Sequence, residues 1–180
     1  MRSLVSGNKV YARPIFISDE KGVLVVNLMR AKFAPKKDYM AVTKTGYVLF
    51  EFMRVGHADN KPQTIDWTDK RVFALDAKKA LTVTRTDLDG KKKELIFRTG
   101  VDNFDTKQMT LMIGTGNKGN RIRFEQKGKE TEALEVDLDN ADLFMIQKMI
   151  DFGFPYMMGW HTWATGKLAD DDITPIQPNK

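Results

Sequence analysis

Apolar and polar residues alternate with a period of two along most of this chain, which is the pattern of half-buried β-strands. Segments of this kind occupy residues 21–33, 39–44 and 46–56, and the turn signals KKD and TG bound them. Residues 11–18 can add a further strand at an edge or a bulge, because Pro14 has no N–H to donate to a sheet. The first half of the chain is therefore predicted to consist mainly of strands.

A short helix is predicted to close this half. Asp76 precedes a helical spacing of apolar residues at Ala77, Ala80 and Leu81, and its carboxylate can accept hydrogen bonds from the first turn. The second half repeats the order, because Asp139 precedes a longer helical segment. Four strand-like segments come before it: 91–100, 107–114, 120–127 and 131–138. The chain is thus predicted to contain one ββββα unit twice.

The stretch GTGNKGN at residues 114–120 fits the glycine spacing of a dinucleotide-binding loop. Such a loop binds phosphate only where a strand enters it and a helix leaves it. Here Ile122 and Phe124 alternate with Arg121 and Arg123, so a strand leaves it, and we predict a β-hairpin. Three glycines would then serve the turn by permitting positive φ angles: Gly114, Gly116 and Gly119.

The second predicted helix is apolar around nearly its whole circumference. A helix with so little polar surface is buried on most sides. Two arrangements fit: it packs against the same helix of another subunit, or it lies between the two sheets of its own chain. The first arrangement predicts four residues in an oligomer interface: Phe144, Met145, Met149 and Phe152.

Composition argues against several classes of protein. The 180 residues include no cysteine, and the two histidines, His57 and His161, lie far apart in the sequence, so neither a thiolate nucleophile nor a metal site is expected. Motifs for a serine nucleophile are missing, and no phosphate loop leads into a helix. No apolar run approaches the roughly 20 residues that span a membrane. We therefore expect no enzyme, no cofactor and no membrane partner.

Charge is divided unevenly along the chain. Residues 1–129 carry 26 basic and 14 acidic residues, whereas residues 130–180 carry 3 basic and 10 acidic ones. The basic part coincides with strand-like segments, which favours a nucleic acid over a membrane surface as the polyanion. Segment 165–180 contains ADDD and two prolines, and it is predicted to be an extended acidic tail.

Two stretches carry a resemblance to a known family. GYVLFEFMRVG is followed by IDWTDKRVFALDAKKALTV, and the second helix ends in FPYMMGWHTWA. The residues that match are Asp66, Trp67, Phe73, Ala74, Leu75, Pro155, Met158, Gly159 and Trp160. Over residues 21–164 the chain resembles the Whirly family of nucleic-acid-binding proteins.

The resemblance implies an α+β fold with two antiparallel four-stranded sheets packed roughly perpendicular and a helix after each. It also implies one nucleic-acid-binding domain over residues 1–164 and tetramers that assemble through the helices. Plant members, which bind single-stranded DNA and act in transcription or genome maintenance, carry a Lys-Gly-Lys-Ala-Ala-Leu-Ser strand. Lys21 and Gly22 fit that strand, but its second lysine is missing here.

A second branch of the resemblance is the kinetoplastid mitochondrial RNA-binding proteins. These are two related subunits that form a heterotetramer, bind guide RNA and promote its annealing to pre-edited messenger RNA. The lysine-rich hairpins and the loss of the plant lysine resemble this branch more. The resemblance therefore implies RNA editing in a mitochondrion and a second Whirly-type subunit, with plant-type DNA binding as the alternative.

Strand period identifies the residues that would bind the nucleic acid. If Ile122 and Phe124 face the core, Arg121 and Arg123 face outward in a row suited to phosphates. The predicted RNA-binding residues are Arg30, Lys32, Lys36, Lys37, Lys44, Lys92, Lys93, Arg98, Arg121, Arg123 and Lys127. Tyr39 and Tyr47 are candidates for base stacking. A surface that neutralises phosphates and leaves the bases outward would promote annealing of complementary strands.

Overall fold

A computed structural model describes residues 5–6, 9–10, 13–56, 64–85, 94–99, 109–126 and 133–161. Three of the predicted RNA-binding residues, Lys92, Lys93 and Lys127, lie outside the described residues, and so does the acidic segment 165–180. All the other predicted binding, stacking and interface residues lie within them.

The first half of the chain forms one four-stranded antiparallel sheet and two short hairpins. Strands β1 (Val5–Ser6) and β2 (Lys9–Val10) pair with each other. The first sheet has the order β3-β4-β7-β8 and contains β3 (Ile15–Ser18), β4 (Gly22–Met29), β7 (Tyr47–Gly56) and β8 (Thr64–Asp76). Between β4 and β7, strands β5 (Lys32–Pro35) and β6 (Met40–Lys44) form a separate hairpin. Helix α1 (Ala77–Thr84) follows β8.

The second half forms another four-stranded antiparallel sheet and a longer helix. Its strands are β9 (Leu95–Thr99), β10 (Met109–Gly116), β11 (Gly119–Gln126) and β12 (Leu134–Leu138), in the order β12-β11-β10-β9. Helix α2 (Asn140–Met158) follows. The prediction of two antiparallel four-stranded sheets, each followed by a helix, is confirmed.

The first sheet differs from the prediction in which strands it contains. The predicted strand 21–33 divides into β4 and β5, and segment 39–44 pairs with β5 instead of entering the sheet. The chain leaves the sheet after Met29 and returns to it at Tyr47, and next to each of these points a backbone N–H bonds to the end of α2. Ala31 N–H donates to Tyr156 O at 3.0 Å, and Gly46 N–H donates to Met157 O at 2.8 Å.

The fourth strand of the first sheet is β8, which simple alternation does not predict. Its register against β7 shifts between Phe52 and Arg54, which pair with Arg71 and Asp66 respectively. Such a bulge places extra residues in one strand and interrupts the two-residue period on which the prediction depends. Buried and exposed residues alternate regularly only from Lys70 to Asp76, next to the helix.

The inner faces of both sheets and the two helices share one hydrophobic core. Phe50 and Phe52 of β7 are fully buried, and Phe52 meets Phe124 of β11 with ring centroids 5.6 Å apart. This ring pair joins the first sheet to the second. Ile146 and Ile150 of α2 are completely buried in the same core.

Both predicted helix caps are confirmed. The Asp76 carboxylate accepts from Lys79 N at 2.9 Å, and the Asp139 carboxylate accepts from Asp142 N at 2.8 Å. Asp142 in turn accepts from the backbone N–H of Asp139, which completes a capping box. Helix α2 ends at Gly159, whose φ of 77° is in the left-handed region that favours glycine.

The predicted hairpin at GTGNKGN is also confirmed, because β10 pairs with β11 from Met109–Gln126 to Gly116–Gly119. The roles of its glycines differ from the prediction. Gly119 has a φ of 110°, whereas Gly114 and Gly116 do not have positive φ. A side chain at Gly116 would collide with the backbone of Asn120 and the carboxylate of Asp137, so close approach is the reason for this glycine.

Candidate nucleic-acid interface

The predicted arginine row lies on the outer face of the second sheet, as alternation requires. Ile122 and Phe124 are buried in the core. Arg123 pairs across the sheet with Met112 of β10 and Glu135 of β12. Arg98 lies on the same face, because it pairs with Thr110 and Thr110 pairs with Glu125. The prediction of which residues face outward is therefore confirmed for this strand.

Carboxylates on the same face bind these arginines. Arg121 Nε donates to Asp137 Oδ1 at 2.8 Å, and its Nη1 lies 3.4 Å from Glu135 Oε2. Arg123 Nη2 lies 2.6 Å from Glu125 Oε1. Charge on this outer face is consequently balanced, with acidic partners beside the basic row.

The cluster formed by Arg121, Glu135 and Asp137 also joins the two sheets. Lys21, in the turn between β3 and β4, donates to Glu135 Oε1 at 2.6 Å. Asp19 of the same turn accepts from the backbone N–H of Asp137 at 2.8 Å. These contacts connect the first sheet to the edge strand of the second, so the cluster has a structural role.

Asp137 is the buried member of this cluster, with 7% of its surface exposed. The hydrogen bond from Arg121 holds the pKa of the Asp137 carboxyl below its usual range, although burial opposes this shift. The same hydrogen bond raises the pKa of Arg121. Both groups are therefore charged at neutral pH, and the ion pair is fully formed there.

The predicted lysines of the first half come together on one projecting element, residues 30–44, which we call the basic hairpin. It comprises β5, β6 and the residues that flank and join them. The segment contains one acidic residue, Asp38, and five basic residues: Arg30, Lys32, Lys36, Lys37 and Lys44. Lys36 and Lys37 occupy the exposed turn between the strands. Positive charge is thus concentrated here to a degree that the second sheet does not match.

The basic hairpin has a fixed base and an exposed end. At the base, Phe33 is buried, and a side chain at Gly159 would press against Phe33 and Val42. At the other end, 66% of the Tyr39 side chain is exposed, and Met40 beside it is also exposed. A basic element that is packed at its base and carries an exposed aromatic ring has the groups that bind the phosphates and bases of a single strand.

The basic hairpin continues into an apolar surface on the outer side of the first sheet. Lys44 Nζ lies 5.3 Å from the centroid of the Tyr47 ring, and Tyr47 pairs across the sheet with Met29. Residues that share this face and remain at least partly accessible make up what we call the open face. They include Phe16, Asn27, Met29, Tyr47, Leu49, Val72 and Ala74, with Glu51 and Lys70 as its charged members. Tyr47 is partly buried in it, whereas Tyr39 projects from the hairpin.

Two exposed aromatic residues were not predicted as binding residues. Phe16 lies on the open face opposite Val25, with half of its side chain exposed. Trp67 lies in the bulge of β8 and is 64% exposed. The Asp66 carboxylate shapes this turn by accepting from Thr68 N at 2.8 Å, and the Thr68 bonds lower the pKa of Asp66. The sequence signal for Trp67 was its place between two polar residues, Asp66 and Thr68, where a core tryptophan is not expected.

The predicted interface residues of α2 divide into two groups. Phe144, Met145 and Phe152 are exposed on this chain, with Phe152 at 75%. Met149 instead packs against the core, which also buries the other side of the helix. Helix α2 therefore lies against its own sheets on one side, in line with the second predicted arrangement, and presents an apolar stripe on the other. Packing of that stripe against another subunit stays a prediction.

Among the described residues, no group of His, Asp and Glu is placed to hold a metal ion. No helix in the described part of the chain is long and apolar enough to cross a membrane.

Two antiparallel four-stranded sheets, each followed by a helix, define the Whirly fold, and this protein has that fold. The family model described as Whirly transcription factor matches residues 17–102, which begin within β3 and extend past β9. That match covers the basic hairpin and all of the first sheet except the first two residues of β3.

Solved structures of plant proteins show the same architecture. The plant transcriptional regulator PBF-2 has a TM-score of 0.77 at 19% identity, over 91% of this chain and all of that one. WHY1 from Arabidopsis thaliana has a TM-score of 0.73 at 19% identity, over 89% of this chain and 92% of that one. WHY3 from the same plant has a TM-score of 0.73 at 16% identity, over 88% and 96%. No curated protein sequence matches the chain.

Proposed function

We propose that this protein belongs to the Whirly family and binds single-stranded nucleic acid along the basic hairpin and the open face of the first sheet. The observation that carries the proposal is the junction of the two surfaces, where Lys44 lies over the Tyr47 ring. Phosphates would contact the lysines of the hairpin, and bases would stack on the adjoining apolar side chains.

The chemistry of the two surfaces suits a single strand better than a duplex. A single strand exposes the faces of its bases, and stacking on aromatic side chains stabilises it by about 1–3 kcal/mol per base. Tyr39 and Phe16 are exposed for such contacts. A duplex hides those faces and would gain only the phosphate contacts.

The similarity to plant structures supports single-stranded DNA as the ligand of this protein, since one of those structures is described as a transcriptional regulator. In this reading the protein acts in transcription or genome maintenance. Family membership draws support from the family model over residues 17–102 and from the shared architecture.

RNA annealing is the second candidate, and Val23 is the observation that favours it. Val23 stands where the plant strand has its second lysine, and it is 1% exposed, packed against Met53. Strand β4 of this protein therefore lacks one lysine that the plant strand has. Guide-RNA annealing, a mitochondrial location and a second kind of subunit belong to this candidate.

Binding measured by fluorescence anisotropy would test the proposal. We would titrate the full chain into labelled single strands of DNA and RNA with the same sequence, and into the matching duplex, at several salt concentrations. Affinity should fall with salt by roughly 0.7 logarithmic units per logarithmic unit for each phosphate contact. Single strands should bind more tightly than the duplex.

The same titrations decide between the two candidates. Tighter binding of DNA would favour the plant-type function. Equal or tighter binding of RNA, together with faster annealing of complementary RNA strands that fades with salt, would favour the annealing function. Absence of salt-dependent binding to any single strand would contradict both.

A further inference from the structure

The open face of the first sheet contains one chain of polar side chains among its apolar residues. Lys70 Nζ of β8 donates to Glu51 Oε1 of β7 at 2.9 Å. Asn27 Nδ2 of β4 donates to Glu51 Oε2 at 3.1 Å. This hydrogen-bonded row of side chains crosses three adjacent strands, and its members share a face with Val25, Leu49 and Val72.

The hydrogen bond to Glu51 fixes how the Asn27 amide is turned. A carboxylate only accepts hydrogen bonds, so the amino group of Asn27 must face Glu51 and its carbonyl oxygen must face away. Glu51 itself is well covered, with 17% of its side chain exposed, and Lys70 balances its charge. Both oxygens of Glu51 are thus engaged, and Asn27 is held in one orientation.

This arrangement leaves Asn27 with one N–H donor and one carbonyl acceptor beside each other on a partly accessible face. A side-chain amide with that pair available forms two hydrogen bonds with a base edge, and adenine is the base that asparagine reads most often. Asn27 also lies directly between Val25 and Met29 along β4, beside Leu49. A base stacked among these apolar side chains would bring its edge to the amide.

We propose that Asn27 reads the edge of a base in the bound strand and gives the protein a preference for adenine, with Glu51 and Lys70 as positioning residues. The proposal rests on the proposed function, since it requires that a single strand lies across the open face. It adds sequence preference to a surface whose other contacts, through phosphates and stacking, do not distinguish one sequence from another.

Competition among homopolymers would test this proposal. The full chain should bind a dA 12-mer about fivefold or more tightly than dT and dC 12-mers, which is within the range expected for one two-bond base contact. Asn27→Leu keeps the size and apolar character of the position but removes donor and acceptor. It should bind dT as the wild type does and lose the preference for dA.

Two further variants separate reading from structure. Glu51→Leu leaves Asn27 in place without its anchor, so the dA preference should decrease while dT binding is retained. Lys78→Ala, on the exposed surface of α1, should leave both affinities and the preference unchanged. Thermal unfolding of each variant shows whether the fold is kept.

The outcomes distinguish this proposal from the proposed function. If the wild type binds no single strand, both are wrong. If it binds all homopolymers equally, or if Asn27→Leu retains the full dA preference, then stacking accounts for binding and the role of Asn27 is overturned.

Discussion

The second sheet and the basic hairpin both carry predicted binding residues, but they differ in how their charge is arranged. On the second sheet, Arg121 and Arg123 stand beside Asp137, Glu135 and Glu125. On the basic hairpin, Lys36, Lys37 and Lys44 are exposed in a segment that contains one acidic residue, Asp38. A basic residue attracts a phosphate only as far as neighbouring carboxylates leave its field uncompensated. We therefore expect the hairpin and the open face to dominate binding and the arginine row to contribute less.

The largest effect should come from the turn and ring of the basic hairpin. The triple variant Lys36→Ala, Lys37→Ala, Tyr39→Ala removes two cations and one stacking ring. We expect the affinity for a single strand of nucleic acid to fall about 30-fold or more. Each phosphate contact raises the affinity roughly fourfold at 0.15 M salt, and one stacked base adds about 1 kcal/mol or more to the binding free energy. Anisotropy titration measures the loss.

Lys78→Ala, Lys118→Ala is the matched control, since both residues are exposed and lie outside the hairpin. The comparison would fail if this control lost as much affinity as the triple variant. Restoring the ring alone, with Phe at position 39 in place of Ala, should recover the stacking part of the loss.

Gly46→Ala should disturb the hairpin from its base. A Cβ there would stand 2.7 Å from Met157 Cα and would collide with the carbonyl of Met29. Because both neighbours are backbone atoms, we expect the free energy of unfolding to fall by about 1–3 kcal/mol. Chemical denaturation would measure this, and Gly114→Ala is the control, because its nearest neighbour would be Glu94 Cγ at 3.6 Å.

Asp137→Asn tests the structural role of the Arg121–Asp137 ion pair in the second sheet, through the pH dependence of the free energy of unfolding. The pKa of Asp137 is lowered in the folded protein, so its ion pair stabilises the fold above the unfolded pKa of about 3.9. This contribution is lost as the pH falls through the folded value. At pH 7 we expect the variant to be less stable by about 1–3 kcal/mol.

The difference between wild type and Asp137→Asn should shrink below about pH 4. Asp151→Asn, at an exposed position on α2, should show no such convergence. A difference that stays constant down to acid pH would mean that the ion pair does not account for the effect.

The smallest effect is expected from the arginine row itself. Arg123→Ala removes a cation that is already paired with Glu125 at 2.6 Å. Affinity for unrelated single strands should fall by similar factors, about twofold or less, with a small decrease in the salt slope. A loss comparable to that of the hairpin variant would reverse the comparison and make the second sheet the main phosphate surface.

The contrast between the faces also shows what the sequence can predict here. Alternation placed Ile122 and Phe124 inside and Arg121 and Arg123 outside, because the side-chain period of a strand is local. The carboxylate partner of Arg121 is 16 residues away on β12, and only the register between the two strands brings it opposite. The side of the sheet to which a residue points follows from its own strand, whereas its ion-pair partner depends on how the strands are aligned in the sheet.

The first sheet repeats this lesson for backbone hydrogen bonds. Nothing in the pattern of 21–33 signals that Ala31 N–H will bond to Tyr156, more than 100 residues later, and so end the strand. The helix caps at Asp76 and Asp139 were predictable because both partners lie three residues away. Of the open face only Tyr47 was predicted, for a related reason: Phe16 and Val72, which share that face with Tyr47, come from strands distant in sequence.

The end of α2 that holds the basic hairpin belongs to the same helix that presents the apolar stripe of Phe144, Met145 and Phe152. An assembly built through that stripe would carry one hairpin per subunit, each set at a fixed orientation by its own helix. A long strand of nucleic acid would then be bound by several hairpins at once, and dissociation from one hairpin would leave it bound to the others. Affinity would grow with strand length well beyond the reach of a single subunit, because each added contact forms within an existing complex.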